Sequence, residues 1–316
     1  MAVQYDKTEK LFQVDYQAPF GGIDTTAYAS AIDPKNFAAI TTGVVDANKL
    51  TPIAWSQLMA LSMASTQSFL GYVPVANAST VGYVITTNSV VIVASDGAGG
   101  LSYTTITSYS PTVSTYGYFS YVVIDNLVIW TTETWNEIWS FNILTNSISS
   151  LTNYVGGGYL GVVNNQLLNL GGVSNLDGVV PYRISWSAPG EYGQFQPYDV
   201  GSGTGSYDAG FNDLPSTSDV LTGILTTGAV AYLFRSQGIT QMSPTGQGLV
   251  PFQFNHLWAS ELGIGTVLPD SISQYGGAGA FIADSGFYSL GISGLSEITG
   301  AAKELLFGLL NNIPNF

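Results

Sequence analysis

The chain has 316 residues, no cysteine and a formal net charge of -14, from 21 Asp and Glu against 7 Lys and Arg; 46% of its residues are hydrophobic and only 9% charged. This balance excludes disulfide and thiolate chemistry, disfavours any grip on nucleic acid phosphates, and leaves enough apolar side chains for a sizeable core in one large domain or two. No apolar run reaches the length of a membrane span, so no membrane insertion is expected. Asp6, Lys7, Glu9 and Lys10 interrupt any signal-peptide core. With so few charges, the surface must be Ser, Thr, Asn, Gln, Gly and Tyr, which suits a protein covered by neighbours or an adhesive one.

Residues 1–66 read as an N-terminal arm and first strands. Residues 1–20 have weak periodicity, an arm or an edge strand. Turn signals stand at Gly21-Gly22-Ile23-Asp24 and at Asp33-Pro34, where the residue before proline is pushed out of the α region. Residues 36–45 alternate loosely. Residues 50–65 are rich in Leu, Met and Ala and read as a short helix after Pro52 or as a strand.

Residues 67–291 read as a repeating β body. Runs of β-branched and aromatic residues fall at 82–86, 90–94, 101–106, 118–124, 127–131, 138–142, 159–163 and 166–170. Two-residue turns stand between them at Thr87-Asn88, Asp125-Asn126 and Asn164-Asn165, which is a hairpin pattern. The turns recur at roughly 38 residues, close to the ~40–45 of a four-stranded propeller blade. The expected fold is all-β: a β-propeller of about six irregular blades, with an N-terminal arm and a short C-terminal helix. Two stacked β-sandwiches are the alternative.

Residues 181–242 hold both arginines. A strand from Arg183 ends at Trp186 and a turn follows at Pro189-Gly190. A Gly/Ser-rich insert fills 201–210. After a turn at Thr227-Gly228, an apolar strand ends on Arg235, and Gly238 interrupts before Ile239. A guanidinium at the end of an apolar strand needs a partner, because burying it unpaired is very costly. Arg183 and Arg235 are each expected to pin a polar contact, Arg183 to a buried carboxylate or carbonyl. Trp186 is expected to pack between sheets.

Residues 292–316 change character. Gly291 to Gly294 reads as a linker, and Ser296 and Glu297 as a helix start. Ala302, Leu305, Leu306 and Leu309 fall at helical spacing, and Asn311, Asn312 and Pro314 end the run.

The order of these landmarks resembles the tail stabilisation or nozzle proteins of short-tailed bacteriophages. It carries Gly21 to Asp24 with the Asn-rich 36–45 segment, then Arg183-Ile-Ser-Trp186-Ser187. Next come the apolar strand running through Gly238-Ile239 to Met242, the Gly, Pro and Ser-Ile elements of 263–272, and Asp284-Ser-Gly286-Phe287-Tyr288. The Glu297-led terminal segment closes it. The resemblance covers most of the chain and rests on order rather than on any single motif. It implies a virion protein made in the host cytoplasm, a homo-oligomeric ring of six copies at the head-tail connection or nozzle. Its partners would be other tail or portal-proximal proteins, and DNA would pass nearby during ejection without specific binding. Any channel of the assembly is expected to be lined by Ser, Thr, Asn and acidic groups.

No enzyme and no cofactor is expected. The single histidine, His256, stands among aromatics and reads as a core or interface residue. A glycosidase needs two carboxyl groups at a defined separation, and Glu133, Glu137 and Asp284 are the candidates. A sialidase-like site resembles an arginine triad, which two arginines cannot make. Oxygen-rich turns at Asp96-Gly97 and Asp284-Ser-Gly286 are short of a full calcium loop. The competing function is a carbohydrate-binding or carbohydrate-cleaving propeller such as a host-surface adhesin, with Trp130, Trp135 and Trp139 as stacking surfaces. A cell-surface layer protein is a third.

Overall fold

The computed structural model describes residues 2–6, 11–15, 37–38, 51–52, 69–74, 80–95, 101–106, 109, 119–132, 136–152, 154–214, 219–247, 250–258, 264–266, 268–275, 278–283, 286–291 and 294–298. The chain divides into two units, Met1–Thr66 and Gln67–Phe316. In the first unit, Ala2–Asp6 pairs antiparallel with Leu11–Asp15, so the expected arm is a hairpin where it is described. A short pair joins Phe37–Ala38 to Thr51–Pro52. The helix or strand expected over the rest of 50–65 lies outside the described residues.

In the second unit, five four-stranded antiparallel meanders follow one another along the chain. Blade 1 is Phe69–Pro74, Thr80–Thr86, Val90–Ser95 and Leu101–Ile106. Blade 2 is Phe119–Ile124, Leu127–Thr132, Ile138–Asn142 and Ser147–Thr152. Blade 3 is Tyr159–Val163, Gln166–Leu170, Arg183–Trp186 and Gly210–Asp213. Blade 4 is Leu221–Thr227, Val230–Arg235, Ile239–Gln247 and Val250–Trp258. Blade 5 is Ser273–Tyr275, Ala278–Ala283, Gly286–Gly291 and Gly294–Glu297. The first strand of each blade lies beside the first strand of the next, from blade 1 through blade 5. Successive meanders joined through their first strands make a β-propeller and leave no place for two stacked sandwiches. The described residues build five such blades, where the sequence spacing points to about six.

A blade inside a propeller has neighbours on both faces, so alternate residues of its inner strands must all be apolar. Val128 and Trp130 face blade 1, in a cluster with Val73, Tyr83, Ile85 and Phe141, while Ile129 between them faces blade 3 with Leu160 and Leu167. Leu168 and Leu170 turn the other way, toward Leu233 and Met242 of blade 4. Tyr232 and Phe234 face Phe281, Tyr288 and Leu290 of blade 5. Each of the four hydrophobic clusters is thus one blade-to-blade interface. The unbroken apolar runs that the sequence shows are a direct result.

The innermost strands carry a repeat that the sequence reading missed. Gly71-Tyr72, Ser120-Tyr121, Gly161-Val162 and Gly223-Ile224 place a small residue before a bulky one in blades 1 to 4. A Cβ at Gly71 would collide with the Phe119 ring of blade 2. One at Gly161 would meet Ile224 and Thr226 of blade 4, and one at Gly223 would meet Ile272 beside blade 5. In blade 2 the small residue is Ser120, whose Oγ accepts from the backbone N–H of Leu160 at 2.8 Å. The small side chain is what lets adjacent inner strands approach.

Three sequence expectations need correction. The spacing of roughly 38 residues matched turns of different kinds. Thr87-Asn88 joins the second and third strands of blade 1, whereas Asp125-Asn126 and Asn164-Asn165 join first and second strands. Ser296 and Glu297 do not begin a helix: Gly294–Glu297 pairs with Gly286–Gly291 as the last strand of blade 5. The Ser-Ile strand expected at 271–272 is instead the end of a 3-10 turn, Pro269–Ser271, where proline supplies the starting φ. The terminal helix expected over 301–310 lies outside the described residues.

Blade 3 is enlarged by an excursion between Trp186 and Gly210 that folds back on blade 2. Phe195 and Tyr192 are buried in the interface between these two blades. The Tyr192 hydroxyl lies 2.8 Å from Asp125 Oδ2 and 2.7 Å from Asn165 Oδ1, bridging the first hairpin turns of both blades. Burial, then its bond to Asp125, raises the Tyr192 phenol to about 12. The folded-state value lies above the ordinary tyrosine value, so this contribution to stability holds below about pH 10 and fades as pH rises through about 12. Tyr192→Phe is expected to cost about 1 kcal/mol in urea denaturation at neutral pH and to flatten that alkaline loss. An unchanged alkaline limb would show that Tyr192 is not its source.

Candidate functional site

Blades 3 and 4 hold both arginines, in opposite states. Arg183 opens the third strand of blade 3 and is 7% exposed. Strand register places it opposite Asp213 on the outermost strand. Its Nε donates to Asp213 Oδ1 at 2.6 Å and its Nη2 to Asp213 Oδ2 at 2.9 Å, a two-pronged match of guanidinium to carboxylate. Nη1 donates to Asp177 Oδ2, and the Phe211 ring lies under the guanidinium at 3.9 Å. The bond to Asp213 holds the Arg183 proton more tightly than in free arginine. The expected carboxylate partner is present, but doubled and half-exposed rather than buried.

Trp186 ends the same strand, 8% exposed, with its ring edge-on to Phe252 of blade 4 at 5.4 Å. It packs between sheets as expected. Arg235 ends the second strand of blade 4 and is 7% exposed. Its backbone N–H donates to Gly238 O at 2.9 Å, which closes the turn to Ile239. Among the described residues, nothing accepts from its Nε or Nη2. Burial lowers its affinity for the proton, and nearby Asp219 only partly offsets this. Asp219 instead accepts from Ser236 Oγ at 2.5 Å and from the Gln237 N–H at 3.1 Å.

The remaining sequence candidates do not converge. His256 is exposed on the outermost strand of blade 4, with Nδ1 2.9 Å from Thr240 Oγ1. Burial and then the Arg235 charge lower its pKa, so the neutral ring is favoured. Glu137 contributes its backbone oxygen, which accepts from Thr131 Oγ1 at 3.0 Å. Gly286 pairs with Ala283, and Phe287 with Ile282, in the second hairpin of blade 5. Glu133, Trp135, Asp96-Gly97 and Asp284 lie outside the described residues. Among the described residues, no three of His, Asp and Glu gather as a metal ion would require. Trp130 is fully buried and Trp139 packs against Tyr109, so neither is an open stacking surface.

Sequence reasoning missed Asp213, Asp177 and Phe211. Asp177-Gly178 is a visible turn signal, but Asp213 becomes a partner only once the outermost strand is placed across an excursion. It also missed the stacked Tyr198 and Tyr207 rings on that excursion, 4.0 Å apart, with Tyr207 67% exposed.

No family model matches the chain, and no curated protein matches it. Among solved structures it is similar to a functionally unknown protein from Desulfotomaculum acetoxidans DSM 771, with a TM-score of 0.45 and 13% identity over 75% of this chain and 70% of that one. It is also similar to the extracellular domain of the hybrid two-component system BT4673 from B. thetaiotaomicron, with a TM-score of 0.43 and 13% identity over 73% of this chain. The chain spans 27% of that domain's length. A carbohydrate-active enzyme of family AA12 from Trichoderma reesei gives a TM-score of 0.38 and 12% identity, over 68% of this chain and 78% of that one.

Proposed function

We propose that the chain is a structural component of a bacteriophage tail, a propeller that assembles as a ring of six copies beside the DNA path. One observation supports this reading above the others: side chains suited to ligand chemistry are used in holding blades together. Trp130, Trp139 and Trp186 pack in blade interfaces, and Arg183 ties the outer strands of blade 3. The landmark order in the sequence supplies the tail context. The charge distribution agrees with a path that DNA does not stick to. Glu191, Asp199 and Asp208 are exposed on the excursion of blade 3, and exposed Asp177 and Asp213 share the single charge of Arg183, which leaves a net negative surface that repels phosphates. The innermost strands carry no charged residue. Any acidic lining of an assembled channel therefore comes from outer strands and turns.

The stack of exposed Tyr207 on half-buried Tyr198 favours a second reading, a carbohydrate-binding propeller, because flat aromatic faces suit sugar rings. Sizing by mass photometry, a glycan array and a DNA gel shift in about 50 mM salt separate the two. The tail reading expects a closed oligomer, no retained glycan and no shifted duplex. A monomer that retains a glycan would overturn it, and so would micromolar duplex binding. Cryo-EM of the virion would then place the ring.

A further inference from the structure

Among the described residues, Arg235 is the one charged side chain with buried donors that lack a partner; the other such atoms, on Trp130, Thr132, Trp139 and Trp186, are neutral. In blades 1 and 2, polar groups near the same end of the second strand are bonded within the chain, although the neutral Thr132 Oγ1 of blade 2 is buried without a partner among the described residues. Thr86 Oγ1 bonds Ser89, and Thr131 Oγ1 donates to Glu137 O and accepts from Gly157 N–H at 3.0 Å. In blade 3, Asn169 Nδ2 donates to Gly157 O at 2.6 Å. Blade 4 has a guanidinium there instead. Its stem is held in the sheet, opposite Leu221, and its backbone oxygen accepts from the Thr266 N–H at 2.9 Å. The charged head is buried, yet Nε and Nη2 have no acceptor among the described residues.

These are the same two nitrogens that Arg183 uses to hold both oxygens of Asp213. A buried charged donor without a partner is strongly disfavoured, so the position is unfavourable unless an acceptor arrives. Asp219 is near enough to act through its charge, but its Oδ1 is held by Ser236 and Gln237. Burial, and then the Arg235 charge, disfavour the proton of exposed His256, so among the described residues it adds no second cation beside the guanidinium at neutral pH.

We propose that Arg235 anchors a binding site for a carboxylate supplied from outside the chain, gripped through Nε and Nη2 as Arg183 grips Asp213. The planar fork selects a carboxylate over a lone carbonyl because it presents two parallel donors. An acidic side chain of a neighbouring polypeptide and an acidic sugar both carry this group. Acetate tests the shared chemistry, and glucuronate separates the sources.

The chain has two arginines, Arg183 and Arg235, so a nitrogen-15 spectrum of the intact protein contains two Nε–Hε signals, and Arg235→Lys assigns them. On addition of acetate to about 50 mM at constant ionic strength, the Arg235 signal is expected to shift while the Arg183 signal stays in place. A matching shift with glucuronate assigns a sugar acid, and acetate alone a protein side chain. In chloride, Arg235→Met is expected to melt at or above the parent temperature and to gain nothing from acetate. An Arg235 signal that does not move with acetate overturns the site, as does one that moves only with sulfate. A clear fall in melting temperature for Arg235→Met in chloride also overturns it, since a group inside the chain would then already hold the guanidinium.

Discussion

Replacement of Trp186 by alanine is expected to destabilise the chain by about 3–5 kcal/mol in urea denaturation, among the largest losses of any single truncation. The indole fills the interface of blades 3 and 4 together with Leu168, Leu170, Leu233 and Met242. Its ring edge meets Phe252 at 5.4 Å. Its other side is shaped by Gly210, where an added Cβ would come within 2.9 Å of the ring. Strands fixed by backbone pairing on both sides cannot collapse into the space that alanine leaves, so the cavity term adds to the transfer term. Trp186 Nε1 has no hydrogen-bond acceptor among the described residues, so the loss is one of packing. Trp186→Phe should therefore recover more than half of it. A measured loss below about 1 kcal/mol for alanine would show that the ring is not sandwiched, and would move Trp186 toward a ligand-facing role.

The same residue shows what the sequence can reveal. A tryptophan ending an apolar strand reads correctly as core, and the inner hairpins of blades 2 to 4 read correctly because their turns demand left-handed backbone. Asp125, Asn164, Asn165 and Gly228 all have φ between 51° and 61°, which Asn, Asp and Gly adopt most readily. The outermost strand of blade 1, Leu101–Ile106, was read as a strand, but those of blades 2 to 5 were illegible for the opposite reason. Ser147–Thr152 is Ser-Ile-Ser-Ser-Leu-Thr and largely exposed, and Gly294–Glu297 is Gly-Leu-Ser-Glu. Each is paired on one side only in its blade, so its sequence records neither alternation nor a continuous apolar run. Arg183 was legible as a residue in need of a partner. Which partner it takes was not, because Asp213 comes opposite it only through the register of such an outer strand. Arg235 reads identically in sequence, and only the structure separates a saturated arginine from an unsaturated one.

Gly158→Ala should be nearly as damaging as loss of Trp186, and Gly178→Ala provides the reference that explains why. Both glycines are left-handed, at φ +67 and φ +72, so alanine costs about 1–2 kcal/mol at either position from backbone conformation alone. At Gly178 a Cβ meets nothing within 4 Å, and the conformational term is the whole effect. At Gly158 the added Cβ would run into the backbone oxygen of Leu170, with Gly172 N at 2.9 Å. Neither obstacle can yield easily. Leu170 is paired on one side with Tyr159 and on the other with Ile184. The adjoining Gly157 is held from both ends, its N–H donating to Thr131 Oγ1 at 3.0 Å and its oxygen accepting from Asn169 Nδ2 at 2.6 Å. The clash should therefore add about 1–3 kcal/mol of overpacking. The measurable quantity is the difference between the two alanine variants in chemical denaturation. A difference of at least about 1 kcal/mol is expected. Equal losses would mean that the link from blade 2 into blade 3 gives way at no cost, and that the bonds of Thr131 and Asn169 do not fix it.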